Sequence, residues 1–276
     1  MPHGPQVSSP RSLTSVYQPL QSELNRVEQS LKDLAQSFGF TSVNAIVDHF
    51  FQSPGKLLRP ALALFAARAV TPSLNDEKFI SLGVGLELIH SASLVHDDIL
   101  DEDISRRGQA TLNGAWGNKV ALLAGDIIYS RAYGLLTRLL DKEDLLTVVA
   151  LNEYMISAEV EQARTSLLTR EAYLRIIEGK TARFMSLCCE LGASLGGATP
   201  EQRKLLSEFG LKYGLAFQLF DDAVDQDLNC PEVDPLTEGK LMIHQALEVL
   251  SALAPSVGKD GLEALAQYSL EQSLHT

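Results

Sequence analysis

Apolar residues recur at spacings of three and four along most of the chain, which is the period of an α-helix. One such stripe near the N-terminus consists of Leu20, Leu24, Val27 and Leu31. Another runs through residues 84–95. Sustained period-two alternation, the signature of a half-buried strand, is missing, and no proline occurs between Pro72 and Pro200. Because proline costs about 3 kcal/mol inside a helix, that gap permits long helices. The pattern predicts an all-α protein.

Breaks in this pattern at proline, glycine and polar clusters delimit the elements. The predicted helices cover residues 13–39, 42–52, 59–70, 75–100, 118–141, 142–167, 170–195, 200–225, 240–254 and 259–273. Pro19 is expected in the first turn of the first helix, where proline is tolerated. Residues 1–12 are a predicted tail, and 101–117 and 226–239 are predicted loops, the former with a short turn. Because no composition break suggests a second domain, residues 13–276 are predicted to form one helical domain.

The composition is that of an ordinary globular protein, with 276 residues of which 45% are hydrophobic and 21% are charged. The formal net charge of -12 argues against a nucleic-acid partner. The three cysteines are odd in number and lack metal-ligand spacing, which favours a reducing compartment. Residues 1–12 show no apolar signal segment, and no uninterrupted apolar run reaches the roughly 18 residues of a membrane span. A cytoplasmic protein without a membrane span is expected.

Two acidic clusters end strongly apolar segments, in the pattern Asp-Asp-x-x-Asp. Their members are Asp97, Asp98 and Asp101, and then Asp221, Asp222 and Asp225. The first and last aspartates of each cluster are four apart, so they share a helix face and repel each other. A single cluster of this kind is most often a solvated helix end. Because the pattern occurs twice, and because Mg²⁺ is usually held by carboxylates together with substrate phosphates, the pair predicts a metal-diphosphate site.

Basic residues accompany both clusters. Lys56 and Arg59 are three apart at a predicted helix start, Arg106 and Arg107 follow the first acidic cluster, and Lys180 lies inside a predicted helix. A basic pair is usually surface decoration. Basic residues that alternate with acidic metal clusters in an apolar protein are, however, what the binding of a diphosphate requires.

These motifs together resemble the trans-isoprenyl diphosphate synthases, the polyprenyl synthetase family. The segments HSASLVHDDILDEDISRRGQAT at 90–111 and GLAFQLFDDAVDQD at 214–227 are similar to that family's two aspartate-rich regions. GKLLRP at 55–60 resembles its GGKRLRP element, and EGKTARF at 178–184 resembles its KT element. The resemblance covers nearly the whole chain. It implies helices around a deep central cavity, a homodimer, and head-to-tail transfer of an allylic chain to isopentenyl diphosphate.

The resemblance also implies a role for individual residues. Three Mg²⁺ ions would be held by Asp97, Asp98, Asp101, Asp221, Asp222 and Asp225. The allylic diphosphate would be held by Arg106 and Lys180, and isopentenyl diphosphate by Lys56, Arg59, His90 and Arg107. Thr181 and Gln218 would line the reacting end.

The segment after the second acidic cluster departs from the family pattern. The family usually has a longer loop here with a Gly-Lys pair, followed by a second such pair. In this chain the segment is several residues shorter and the first pair is absent. Gly239 and Lys240 are predicted to stand for the second pair, with Lys240 as a substrate contact. The departure leaves loop closure, rate and the reaction itself open.

Product length is expected to depend on small residues before the first acidic cluster. The resemblance implies that the growing tail runs beneath that cluster, past Ile89, Ala92 and Ser93. Because Ala92 and Ser93 are small, the tunnel stays open and a product of C20 or longer is predicted. Tyr129 and Tyr133 are candidates for a floor lower down. Alternatively, the small residues only allow close helix packing.

Two other functions share this fold and remain open. A terpene cyclase would ionise an allylic diphosphate without condensation, but it needs no isopentenyl site of the kind that Lys56, Arg59, His90 and Arg107 would form. A non-catalytic subunit of a heteromeric synthase would not need both acidic clusters intact, although the shortened loop favours it mildly.

Overall fold

The computed structural model describes residues 12–53, 55–164, 168–225, 230 and 232–274. The α-helices, numbered in chain order, are α1 Leu13–Tyr17, α2 Gln21–Ala35, α3 Thr41–Phe51, α4 Leu58–Val70, α5 Glu77–Leu100, α6 Leu112–Trp116, α7 Asn118–Leu136, α8 Lys142–Arg164, α9 Arg170–Ile177, α10 Arg183–Leu195, α11 Pro200–Asp225, α12 Pro235–Ser251 and α13 Val257–Gln272. A π-helical turn, Glu178–Ala182, joins α9 to α10. The strands β1 Ser105–Arg106 and β2 Gln109–Ala110 pair antiparallel. The all-α prediction is confirmed.

Helix ends differ from the sequence prediction where proline intervenes. The single helix predicted over 13–39 is wrong, since α1 ends at Tyr17 and a 3₁₀ turn containing Pro19 precedes α2. Proline lacks an amide hydrogen and its ring clashes with the preceding turn, so the α-helical ladder stops there. The prediction that 235–239 belong to a loop is also wrong. Asp234 caps α12 through the Thr237 amide at 3.2 Å, and Pro235 occupies its first turn.

Two further predictions fall partly outside the described residues. Of the predicted tail, only Ser12 is described, and its side chain caps α1. The predicted loop over 226–239 includes residues 226–229 and 231, which also lie outside them. The predicted loop over 101–117 contains the β1–β2 hairpin and α6.

The core is built around α5, which packs against α7, α4 and α2. Helix α10 packs against α4 and α11, and α11 packs against α12. The approach of α10 to α4 is so close that a Cβ on Gly192 would lie 2.0 Å from the Ala63 carbonyl oxygen. Among the described residues, only α5 is long and apolar enough to cross a membrane by length and composition, and 72% of its most apolar window is buried in the protein.

Candidate active site

A cavity of about 750 Å³ opens between α4, α5, α8, the π-turn and α11. The predicted site residues that line it are Lys56, Arg59, His90, Ser93, Asp97, Asp101, Arg106, Arg107, Lys180, Thr181, Gln218 and Asp221. The predicted residues that do not line it are Ile89, Ala92, Asp98, Asp222, Asp225 and Lys240. Both acidic clusters therefore contribute side chains to one cavity, although they come from distant parts of the chain. The basic side chains of this cavity form two groups, one of Arg106 and Lys180 and one of Lys56, Arg59 and Arg107.

The first acidic cluster, at the end of α5, is paired with basic side chains. Asp98 is 3% exposed and accepts a hydrogen bond of 2.6 Å from Nε of Arg106. Burial raises the pKa of Asp97 to about 7, as do the charges of Glu159 and Asp101, whereas Lys180 and Arg106 lower it. A carboxyl that holds its proton near neutral pH lies in a site with too little positive charge, and a bound cation would supply it.

The second acidic cluster, at the end of α11, is paired mainly with neutral groups. Asp222 accepts hydrogen bonds from the Gln218 amide at 2.8 Å and from the Tyr173 hydroxyl at 2.5 Å. Partial desolvation raises the pKa of Asp221, followed by the charges of Asp225 and Asp222, while Lys56 lowers it. Asp225 is exposed. No ion pair joins these aspartates to a basic residue in the described part of the chain.

The π-turn places Lys180 and Thr181 on the cavity wall. Nζ of Lys180 lies 2.8 Å from Oε1 of Glu159 and donates a hydrogen bond of 2.8 Å to Gln162. The Thr181 hydroxyl donates a hydrogen bond of 2.7 Å to Oε1 of Gln218. A π-helical turn holds one residue more than an α-helical turn. Such turns are frequent at functional sites, because the extra residue changes which side chains of a helix face the same way.

The second basic group surrounds a buried acid, Glu87. Glu87 is 6% exposed, and its Oε2 has no hydrogen-bond partner among the residues that the structure describes. Burial raises its pKa, against the lowering effect of Arg59 and Arg107. The Arg59 guanidinium lies 5.0 Å from the centre of the Phe184 ring. Burial and the charges of Arg59, Arg107 and Arg106 lower the pKa of His90 well below its usual value. His90 is therefore neutral and can give a hydrogen bond to an anion, but not a charge.

Backbone strain concentrates around the cavity. Among the described residues, the non-glycine residues with positive φ are Leu57 at 49°, Glu102 at 56° and Arg107 at 52°. Leu57 lies between Lys56 and Arg59, Glu102 follows the first acidic cluster, and Arg107 lines the cavity itself. Such conformations cost free energy and cluster at ligand-binding sites, where they fix side chains in place.

Comparison with known proteins identifies the family. The family model described as polyprenyl synthetase matches residues 41–233. This chain belongs to the polyprenyl synthetase family. It is 35% identical over 206 residues to an octaprenyl diphosphate synthase of Escherichia coli, a match that covers 72% of this chain and 63% of that protein. It is 32% identical over 262 residues to the heptaprenyl diphosphate synthase component 2 of Geobacillus stearothermophilus, covering 92% of this chain and 79% of that protein.

Solved structures of the polyprenyl synthetase family have the same fold. A polyprenyl synthase of Caulobacter crescentus, complexed with calcium and isoprenyl diphosphate, superposes with a TM-score of 0.85 at 23% identity, covering 95% of this chain and 99% of that one. A decaprenyl diphosphate synthase of Rhodobacter capsulatus superposes with a TM-score of 0.83 at 25% identity, covering 95% and 99%. The predicted isoprenoid synthase fold is confirmed.

The acidic side chains that line the cavity suit a hard divalent cation. No group of three or more His, Cys, Asp or Glu side chains within the described ranges is arranged to hold a metal ion alone. Asp97, Asp101 and Asp221 nevertheless line one cavity, and the pKa values of Asp97 and Asp221 are raised. Carboxylates with uncompensated charge fit Mg²⁺, which normally takes few protein ligands and completes its shell with phosphate oxygens and water.

The residues predicted to control product length separate in the structure. Ser93 lines the cavity, together with Tyr129 and Met155. Ile89 and Ala92 are fully buried in the core and do not line it. Ala92 is five residues before Asp97, which places it about 140° round the helix from that aspartate, whereas Ser93 is only about 40° away. Ile89 and Ala92 therefore do not border the cavity that Ser93 lines, and their contact with a growing tail stays a prediction.

Glu87 and Glu159 line the cavity, but the sequence analysis did not name them. Of the two tyrosines predicted for a floor, Tyr129 lines the cavity, whereas Tyr133 does not and shares a hydrogen bond with Asn152. Glu87 could have been recognised as a candidate site residue, because it is the one acidic residue between Lys78 and Asp97 in an otherwise apolar segment. Glu159 had no such signal, since its segment carries several acidic residues.

Proposed function

We propose that this protein is a Mg²⁺-dependent prenyltransferase that condenses isopentenyl diphosphate head to tail with an allylic diphosphate. One observation carries the proposal. A single cavity presents acidic side chains from both clusters and two separate basic groups, one around Lys180 and Arg106 and one around Arg59 and Arg107. Two basic groups fit two diphosphates, and a cyclase that takes one substrate would leave the second group unused.

The two basic groups have different predicted tasks. Lys180 and Arg106 would hold the allylic diphosphate, but they now contact Glu159 and Asp98, so the substrate must compete for them. The group of Lys56, Arg59, His90 and Arg107 would hold isopentenyl diphosphate. Neutral His90 would donate a hydrogen bond to that diphosphate. Because the guanidiniums cannot lose their charge, this group keeps its affinity for anions across the physiological pH range.

The reaction breaks the bond between the first allylic carbon and its oxygen, and both electrons leave with diphosphate. The isopentenyl double bond supplies the electron pair of the new carbon–carbon bond, and a proton then leaves the isopentenyl unit for the departed diphosphate. When bound, Mg²⁺ (three ions by the family resemblance) would neutralise the leaving group. The cavity's apolar residues, among them Leu94, Phe217 and Met155, would exclude water from the cation.

The proposed product is C20 or longer. Ser93 leaves space at the cavity wall, and the relatives include octaprenyl and heptaprenyl diphosphate synthases. The tail would pass Ser93 along the part of the cavity lining that includes Tyr129 and Met155.

A homodimer is proposed from an apolar face on α7 and α8. Its exposed members outside the cavity lining are Leu122, Leu123, Leu146 and Val149. Large apolar side chains that stay exposed in such number are typical of a protein interface. The alternative is a heteromeric synthase, which is favoured by the similarity to a protein named heptaprenyl diphosphate synthase component 2. A cytoplasmic location without nucleic-acid partners stays a prediction of the sequence.

The decisive experiment is a product assay. The purified chain is incubated with Mg²⁺, labelled isopentenyl diphosphate and farnesyl diphosphate, and the dephosphorylated products are sized. A ladder that reaches C20 or beyond is expected. Release of diphosphate from farnesyl diphosphate without incorporation would instead indicate a cyclase. An inactive chain that gains activity only with a second protein would indicate a heteromeric subunit.

A further inference from the structure

A chain of side-chain hydrogen bonds runs from a buried tyrosine to the cavity wall. The Tyr173 hydroxyl donates to Oδ2 of Asp222 at 2.5 Å, and the Gln218 amide donates to Oδ1 of Asp222 at 2.8 Å. The Thr181 hydroxyl donates to Oε1 of Gln218 at 2.7 Å. The chain thus connects α9, α11 and the π-turn. Thr181 and Gln218 line the cavity, whereas Tyr173 and Asp222 do not.

Each bond in this chain fixes the direction of the next. Asp222 has a carboxylate that only accepts, so Gln218 turns its amide nitrogen towards it. The Gln218 carbonyl then faces Thr181 and accepts its only hydroxyl proton. The Thr181 oxygen consequently has only lone pairs left for the cavity. An oxygen that presents lone pairs stabilises positive charge beside it, whereas a hydroxyl that donated into the cavity would oppose such charge.

Tyr173 is held at the start of this chain by apolar packing. It is 4% exposed and belongs to a small cluster that also contains Leu219, Cys230 and Val233. Cys230 and Val233 come from the connection between α11 and α12, the same connection that is shorter than the family pattern. Because the Asp222 carboxylate can only accept, the contact of 2.5 Å makes the Tyr173 hydroxyl the donor.

We propose that Tyr173 is a positioning residue that, through Asp222 and Gln218, turns an oxygen lone pair of Thr181 towards the allylic carbon from which diphosphate departs. The inference rests on the proposed function, because it needs a reaction with a positively charged intermediate. Without the Tyr173 hydroxyl, Asp222 loses one of its two partners and can rotate. Gln218 can then flip its amide, and Thr181 can donate into the cavity.

Tyr173→Phe tests this directly, because it removes the hydroxyl and keeps the ring in the apolar cluster. Tyr213→Phe is the matched control. Tyr213 is 1% exposed, shares a hydrogen bond of 3.0 Å with Ser269, and does not line the cavity. Each variant loses one buried hydrogen bond, and Tyr173→Phe should lower the melting temperature somewhat more, because its partner is a carboxylate and not a hydroxyl.

The kinetic readout separates positioning from a structural effect. Tyr173→Phe should lower kcat on the order of tenfold, while the KM for isopentenyl diphosphate stays within about twofold of the wild-type value. Calorimetric binding of inorganic diphosphate with Mg²⁺ should be unchanged, since the cavity's charges are unchanged. Tyr213→Phe should keep kcat within about twofold. A Tyr173→Phe enzyme as active as this control overturns the proposal.

A double-mutant cycle tests the route through Thr181. Thr181→Val removes the cavity-facing hydroxyl, and adding Tyr173→Phe to it should then change kcat by less than about twofold. A loss equal to the product of the two single effects would show that Tyr173 acts elsewhere and would contradict the proposal.

A second variant keeps the test decisive if Tyr173→Phe does not fold. Asp222→Asn retains the shape of the side chain, but its amide lets Gln218 turn either way. It should lower kcat on the order of tenfold and leave Mg²⁺-dependent binding of inorganic diphosphate intact. Loss of that binding would make Asp222 a metal ligand and overturn the inference. A wild-type chain that incorporates no isopentenyl diphosphate overturns the proposed function together with the inference.

Discussion

The two acidic clusters have the same spacing of aspartates but different surroundings. In the first cluster, Asp98 is buried against Arg106, and Asp97 lies in the field of Glu159 and Lys180. In the second, Asp222 is held by the neutral side chains of Gln218 and Tyr173. The first cluster is thus embedded in a network of charges, and the second in hydrogen bonds that give direction. One spacing of aspartates thus occurs in two settings, because tertiary packing rather than the local pattern decides which partners the carboxylates meet.

The largest effect is expected from removing the cavity-facing charge of the first cluster. Asp97→Asn should lower kcat/KM by about 10²- to 10³-fold, because a carboxylate that faces the metal-diphosphate group contributes several kcal/mol. Asp225→Asn, at the exposed end of the second cluster and outside the cavity lining, should lower it by about tenfold or less. Isopentenyl incorporation at saturating Mg²⁺ measures both, with circular dichroism as a check of folding. Equal losses of kcat/KM in the two variants would contradict the distinction between the two clusters.

The next effect is a pH dependence of stability caused by Asp97. Its pKa in the folded protein is raised to about 7, above the ordinary aspartate value of 3.8. Between these values the folded state binds more protons than the unfolded state, so the free energy of unfolding falls as the pH rises. Urea unfolding without metal should therefore show lower stability at pH 8 than at pH 5.

The contribution of Asp97 to this slope can be isolated by substitution. Asp97→Asn should flatten the pH dependence, since the asparagine does not titrate. Asp225→Asn is the matched control and should leave the slope in place. An unchanged slope in Asp97→Asn would show that other groups cause it.

A smaller effect is expected from breaking the buried pair of the first cluster. Arg106→Gln leaves the carboxylate of Asp98 without its strongest partner, and it should lower the free energy of unfolding by about 1–3 kcal/mol. Arg170→Gln is the control, because Arg170 makes a two-pronged ion pair with Glu238 at the surface, at 2.7 Å and 3.1 Å. That variant should lower the free energy of unfolding by less than Arg106→Gln does, because solvent screens an exposed pair. Similar losses in both would contradict the distinction between a buried and an exposed pair.

The smallest energetic effect concerns the wall below the first cluster. Ser93→Phe should shorten the product, because Ser93 lines the cavity. Ala92→Phe, at the other small position before the first cluster, places its ring in a fully buried position and should mainly lower stability. Sizing of dephosphorylated products and thermal unfolding distinguish the two. A shorter product from Ala92→Phe without loss of stability would show that Ala92 also borders the growing tail.

The helical fold could be predicted because the apolar period of three to four is a local signal. Helix ends at Pro19 and Pro235 were misplaced, although each is explained by proline geometry and a cap. The π-turn at Lys180 gave no sign in the sequence, since its residues are ordinary helix formers apart from Gly179.

The candidate site was predictable only as a set of residue types. Spacing showed that Asp97 and Asp101 share a helix face. It did not show that the Asp98 side chain lies outside the cavity lining and pairs with Arg106. The bond between Tyr173 and Asp222 spans 49 residues and arises from the packing of α9 against α11. Such tertiary contacts leave no periodic trace in a single sequence.

The central claim is that both acidic clusters face one metal-diphosphate group. Crystals grown with inorganic diphosphate and Mn²⁺, which takes the same oxygen ligands as Mg²⁺, test it through anomalous scattering from the metal. Metal peaks are expected on both sides of the diphosphate, next to Asp97 and Asp101 on one side and next to Asp221 on the other. Metal bound at one cluster only, or diphosphate bound without metal, would contradict it.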